Sequence, residues 1–133
     1  MLIQDLLNDI KREVTSVSPE ATVYSAIKLM AERDFGAVAV VDGDRMMGIF
    51  TERDYARKLL LEGKSSMLTK IKDTMSPEVI QVRPDQSIHE CLETMVDHGI
   101  RHLPVIEGGH LMGLVSMADL AKAAIQGPVA QAP

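Results

Sequence analysis

Two short stretches pair a hydroxyl with a carboxylate three residues on: Thr51 and Asp54 in GIFTERD (48–54), and Ser116 and Asp119 in GLVSMAD (113–119). Each follows an apolar run and opens a segment with helical spacing. The hydroxyl therefore stands at a strand-to-helix junction, where free backbone N–H groups and the helix dipole gather. An arbitrary T-x-x-D is a capping device worth about 1 kcal/mol. Two features widen its chemistry. The strand ends where open α/β sheets bind ligands, and a glycine three residues before the hydroxyl, Gly48 or Gly113, lets a backbone or flat ring come close. A carboxylate there repels phosphate but accepts bonds from two neighbouring hydroxyls, so a ribose, and hence a nucleoside, suits the corner.

The elements that position these corners are themselves duplicated. Residues 13–55 lie on 78–120 without a gap, with identities that include Val17/Val82, Pro19/Pro84, Met30/Met95, Val40/Val105, Gly48/Gly113 and Asp54/Asp119. Two copies predict two similar halves about an approximate twofold axis, not a solenoid. In each copy a short extended piece, EVTSVSP or EVIQVRP, ends at a proline. A helix follows, with Val23, Ala26, Ile27, Met30 and Ala31 on its buried face in one copy and Ile88, Cys91, Leu92, Met95 and Val96 in the other. Ser87 and Glu90 form a capping box at its start in the second copy. The runs AVAVV/MMGIF and HLPVI/LMGLV read as hairpins buried on both faces.

The last helix spans about Glu52 to Leu61 in the first copy, stopping at Gly63, and about Met117 to Ile125 in the second, where Gly127 and Pro128 end it. Tyr55, Leu59 and Leu60 are expected as exposed apolar residues on the first of these. A short helix around Ile3 to Asp9 precedes the first copy, and KSSMLTK (64–70) joins the two. The predicted class is α/β with two β-α-β-β-α repeats. The expected division is 1–66 for the N-terminal helix and repeat 1, and 67–133 for repeat 2 and the tail, together one globular pair.

Composition removes several functions. Of 133 residues, 46% are hydrophobic and 25% charged, with net charge −5 and no basic run, which disfavours nucleic acid. The apolar runs are too short for a membrane helix. The single Cys91 sits on an apolar stripe, fitting a core residue in a reducing cytoplasm. His89, His98, His102 and His110 match no common zinc spacing, and the methionines at 30, 46, 47, 95 and 112 fall on apolar stripes expected to pack in the core. No P-loop, GxGxxG or GxSxG is present, so neither catalytic nor metal residues are assigned.

The repeat order, the stretch LPVIEGG and the G-h-h-[ST]-x-x-D endings resemble paired CBS domains, named after cystathionine beta-synthase, over about residues 10–125. TERDYARKLLLEGKSS resembles small stand-alone bacterial members. The resemblance implies a non-catalytic sensor binding an adenine nucleotide (AMP, ATP or NAD(H)) in clefts between the repeats. Asp54 and Thr51 would serve one cleft, and Asp119 and Ser116 the other. Ala37, Ile49 and Leu114 are the strand positions assigned to nucleotide contact. Arg101 and His102 would reach the phosphates of the nucleotide held by Asp54, whereas Gly36 and Ala37 stand at the matching positions of the first copy, so unequal clefts are expected. Arg53 and Lys58 are expected to face solvent. A homodimer and an unidentified protein target are further expectations, and a ligand-free scaffold for protein association is the alternative.

Overall fold

Alternating short strands and amphipathic helices give the mixed α/β fold that the sequence predicts. The computed structural model describes residues 1–130, with side chains to residue 126. Helix α1 (Ile3–Asp9) leads to β1 (Ser16–Val17), α2 (Val23–Arg33), β2 (Ala37–Asp42), β3 (Arg45–Thr51) and the short α3 (Glu52–Asp54). The second repeat supplies α4 (Ile88–His98), β4 (His102–Glu107), β5 (His110–Ser116) and α5 (Met117–Ala130). Thr22 caps α2, its side chain accepting from the Ser25 N–H at 3.1 Å. At α4 the capping box is complete: the Glu90 N–H donates to Ser87 Oγ at 3.0 Å and the Ser87 N–H to Glu90 Oε1 at 3.1 Å.

Packing divides the chain into two compact units, and the division differs from the expected break after residue 66. One unit is Val14–Val79; the other joins Met1–Glu13 to Ile80–Pro133. The reason is where apolar side chains and open backbone groups find partners. Ile3 and Leu6 are buried with Val82, Ile88, Cys91, Met95 and Leu120, and the Ile3 and Gln4 N–H groups donate to Gln86 O and Pro84 O at 2.8 and 3.0 Å. The connecting segment is likewise tied to the first repeat. The Val23 and Tyr24 N–H groups donate to Thr69 O and Ser66 O, and the Ile71 N–H to Ala21 O. Ile71 is buried beside Val23, Phe50 and Leu59.

Within Val14–Val79, β1 pairs parallel with β2, and β2 antiparallel with β3, bringing Ala37 opposite Thr51. Within the other unit β4 and β5 pair antiparallel with His102 opposite Ser116, while the expected first strand contracts to a single bridge between Val82 and Val105. The first four residues of β2 and residues Leu103–Ile106 of β4 are buried, matching their unalternating apolar runs.

Four details depart from expectation. Ala31 and Val96 lie outside the buried stripes, Val96 being 70% exposed, because each stripe narrows toward the helix end. Met112 is 48% exposed near the hairpin turn, although Met30 and Met95 are buried. After α3 the backbone continues as a π-helix (Tyr55–Leu60), in which each bond reaches five residues back; the Leu61 N–H donates to Ala56 O at 3.0 Å. This widened turn buries Leu59 and leaves Tyr55 half-buried, so only Leu60 of the expected apolar face is exposed, together with Leu61. The chain leaves the helix near Gly63, at φ +67°. Helix α5, by contrast, passes Gly127 and Pro128 and runs to Ala130. Proline's fixed φ suits helical backbone; what it removes is one donor, and here it does not end the element.

Candidate functional site

Thr51 closes β3 with extended backbone (φ −121°, ψ 167°) and opens α3. The Asp54 N–H donates to Thr51 Oγ1 at 3.2 Å, while the Thr51 N–H and hydroxyl both reach Asp54 Oδ2, at 3.0 and 3.1 Å. The cap thus commits one carboxylate oxygen and turns the other, Oδ1, toward Lys58, whose Nζ lies 3.5 Å away. Lys58 does not simply face solvent as expected. It also donates to Thr74 O at 3.0 Å and Ser76 Oγ at 3.3 Å. Its i,i+4 spacing from Asp54 was the signal available in the sequence.

Backbone closes the inner side of this corner. Ile49 exchanges two hydrogen bonds with Ser76, at 3.1 and 3.0 Å, and a Cβ added at Gly48 would stand 2.8 Å from Ser76 O and 2.8 Å from Met75 Sδ. The glycine admits a close backbone, as its position suggested, and that backbone belongs to the chain's own connecting segment.

The second corner has the same cap and a different counter-ion. The Ser116 N–H donates to Asp119 Oδ2 at 2.8 Å, and the Asp119 N–H to Ser116 Oγ at 3.0 Å. Arg12, from the segment between α1 and β1, grips both carboxylate oxygens: Nη1 reaches Oδ1 at 3.1 Å and Nη2 reaches Oδ2. The same Nη2 donates to Leu114 O at 3.0 Å. Burial, the largest influence on Asp119, pushes its pKa up, but the bonds from Arg12 and Ser116 outweigh it and hold the carboxyl below the usual range. A Cβ at Gly113 would stand 2.7 Å from Leu7 Cδ2, so the N-terminal segment also fills the space this glycine leaves. Sequence reasoning missed Arg12 altogether: at the repeat offset its counterpart is Pro77, so the duplication points to nothing there.

The remaining predicted residues fall as follows. Ala37 is 0% exposed and Leu114 4%, both within strands, so what either could offer at a surface is backbone and not side chain. Ile49 keeps a half-exposed side chain, but its backbone is taken by Ser76. Arg101 is exposed and its carbonyl accepts from the Met117 N–H at 2.8 Å, at the entrance to α5. His102 is half-buried; burial lowers its pKa most, the Asp119 charge opposes this, and Arg101 and Arg12 lower it further. It is therefore a poorer cation near neutral pH than its free side chain. Arg53 is exposed, as expected. His89 is exposed and pairs with Glu93 at 3.0 Å, and Cys91 is buried with its thiol pushed up to about 11, chiefly by burial. Among the described residues no group of His, Cys, Asp and Glu is arranged to hold a metal, and no helix is long and apolar enough to cross a membrane.

Comparison with known proteins agrees with the duplicated architecture. The CBS-domain family model matches residues 4–61 and 71–126, and the chain belongs to this family. Among relatives, the mitochondrial CBS domain-containing protein CBSX3 of Arabidopsis thaliana is 39% identical over 78% of this chain, and the match spans about half of that protein's length, 53%. A solved protein with CBS domains from Burkholderia ambifaria, named for signal transduction, is 42% identical with a TM-score of 0.88, covering 100% of this chain and 97% of that one. The CBS domain protein PAE2072 of Pyrobaculum aerophilum, solved complexed with AMP, shares the fold at 24% identity and a TM-score of 0.83, covering 99% of this chain and 100% of that one. Tandem CBS pairs are commonly regulatory.

Proposed function

We propose that this chain is a non-catalytic regulatory module that binds an adenine nucleotide, with Asp54 as the ribose acceptor. The observation that carries this reading is the divided use of the Asp54 carboxylate. Oδ2 is held by the cap, while Oδ1 meets Lys58 at 3.5 Å, outside hydrogen-bond range. Oδ1 thereby keeps the capacity to accept a ribose hydroxyl, and the neighbouring ammonium supplies positive charge for a phosphate. Thr51 fixes the carboxylate, and the half-exposed Ile49 side chain offers apolar surface for the base. Family membership supports the ligand class, since CBS domains often bind adenine nucleotides. Binding of this kind acts by favouring one conformation of the chain, or of an assembly such as a homodimer, over another, and so changes affinity for a target protein in the cytoplasm.

Thermal unfolding with AMP, ATP and NADH tests this reading. A ligand of the folded form raises the melting temperature with concentration, and Asp54→Ala should weaken that response at least tenfold in ligand concentration. No shift with any of the three would sink it.

One observation favours a second reading, a scaffold for protein association. Both carboxylates have cations of their own chain beside them, and Leu60, Leu61, Met67 and Leu68 are 64%, 79%, 65% and 87% exposed. Exposed apolar side chains of that size suit a partner surface. In that case the melting temperature depends on the partner's concentration and not on the nucleotide's.

A further inference from the structure

Arg12 makes the two carboxylate corners inequivalent in a way that bears on ligand capacity. Vicinal hydroxyls meet a carboxylate as two adjacent donors. The guanidinium of Arg12 presents the same pattern, with Nη1 on Asp119 Oδ1 and Nη2 on Oδ2, and it also occupies the strand carbonyl of Leu114. Oδ2 additionally accepts from the Ser116 N–H, so both oxygens of Asp119 are already in use. The fork is positioned by its segment: Ile3 and Leu6 anchor α1 in the core, and Leu7 lies against Gly113, one residue before Leu114. The pair is also partly removed from water, with side-chain exposures of 30% for Arg12 and 18% for Asp119. Among the described residues the ion pair of Asp54 is with Lys58 at 3.5 Å, and Pro77, which has no cation to offer, stands at the repeat position of Arg12.

We infer that Arg12 is a built-in occupant of the Asp119 corner, a specificity-determining residue that mimics the hydroxyl pair of a nucleoside and keeps that corner from binding one. The inference rests on the nucleotide reading given above and adds that the chain takes nucleotide at Asp54 alone while Arg12 is seated. An arginine seated for nine-tenths of the time lowers the apparent affinity about tenfold, and tighter seating lowers it in proportion. The fork needs both of its donors; a lysine holds the charge without the two-point grip.

Calorimetric titration of the full chain with AMP tests this. The wild type should bind one AMP, lost in Asp54→Ala. Arg12→Gln should bind two, the second lost again when Asp119→Ala is added, and Arg12→Lys should bind the second more weakly than Arg12→Gln. Should Arg12→Gln unfold, Arg12→Lys carries the test, since its single-point contact must also admit a second AMP. Two sites in the wild type, or one site in Arg12→Gln and Arg12→Lys alike, overturn the inference while leaving nucleotide binding intact. No AMP bound by any form sinks the nucleotide reading and the inference with it; a wild type that binds none while Arg12→Gln binds one, lost with Asp119→Ala, supports the inference at the second corner.

Discussion

The Asp54 and Asp119 corners share a hydroxyl cap, a glycine and a strand-to-helix turn, yet they are neutralised differently. Asp54 meets a lysine one helical turn away on its own segment, at 3.5 Å. Asp119 meets both terminal nitrogens, Nη1 and Nη2, of an arginine that lies far away in sequence. The first arrangement follows from local spacing and leaves an oxygen with spare capacity. The second requires the N-terminal segment to be docked. Duplication therefore reproduces the cap, while the charge beside it is set by whatever segment packs there.

The largest expected effect comes from filling the space before the Asp54 corner. Gly48→Ala drives a Cβ to 2.8 Å from the backbone oxygen of Ser76, which is itself fixed by two bonds to Ile49. A loss of about 2–3 kcal/mol is expected in denaturant unfolding. Gly113→Ala meets only the end of the Leu7 side chain, which can turn aside, so about 1 kcal/mol or less is expected. Equal penalties would break the distinction between rigid and yielding neighbours.

Removing the carboxylates sharpens the contrast in charge. Asp119→Ala deletes the carboxylate that accepts from the Ser116 N–H and takes the counter-ion from a partly buried Arg12, and should cost about 2 kcal/mol. Asp54→Ala deletes the matching acceptor of the Thr51 N–H but leaves Lys58 bonded to Thr74 O and Ser76 Oγ, so about 1 kcal/mol is expected. Unfolding of Arg12→Ala/Asp119→Ala beside the single variants measures the coupling directly.

The smallest effect is the dependence on acid. The folded pKa of Asp119 lies below its ordinary value of 3.8, so the unfolded chain binds this proton more readily. Its contribution is complete above 3.8 and is lost as pH falls through the lower folded value. Melting temperatures measured from pH 5 downward should therefore fall less steeply in Asp119→Asn than in the wild type. Parallel curves would show that Arg12 does not depress the carboxyl.

Local order was legible because its causes are local. The Ser87 capping box, the paired hairpins and the α1 span of Ile3–Asp9 follow from residue types at short separations. The buried stripe of α4 through Ile88, Cys91 and Met95 follows from helical period, whereas its last predicted member, Val96, faces out. The π-helical stretch after Asp54 was invisible, since no residue type specifies a bond five residues back, and with it went the placement of Leu59. The burial of Ala37 and Leu114 was not legible for another reason: apolar strand positions look alike in sequence whether they line a site or lie in the core.

Composition and periodicity alone determined the duplication, the α/β class and the two capped carboxylates, because each depends on side-chain chemistry within a few residues. Only tertiary packing decided that the N-terminal segment joins the second repeat and the connecting segment the first. That choice set the partners of the acids, since docking α1 carries Arg12 to Asp119 and docking the connector holds Ser76 beside Ile49 and Lys58. Such pairings depend on which apolar faces bury one another at long range, and spacing along the chain does not encode them.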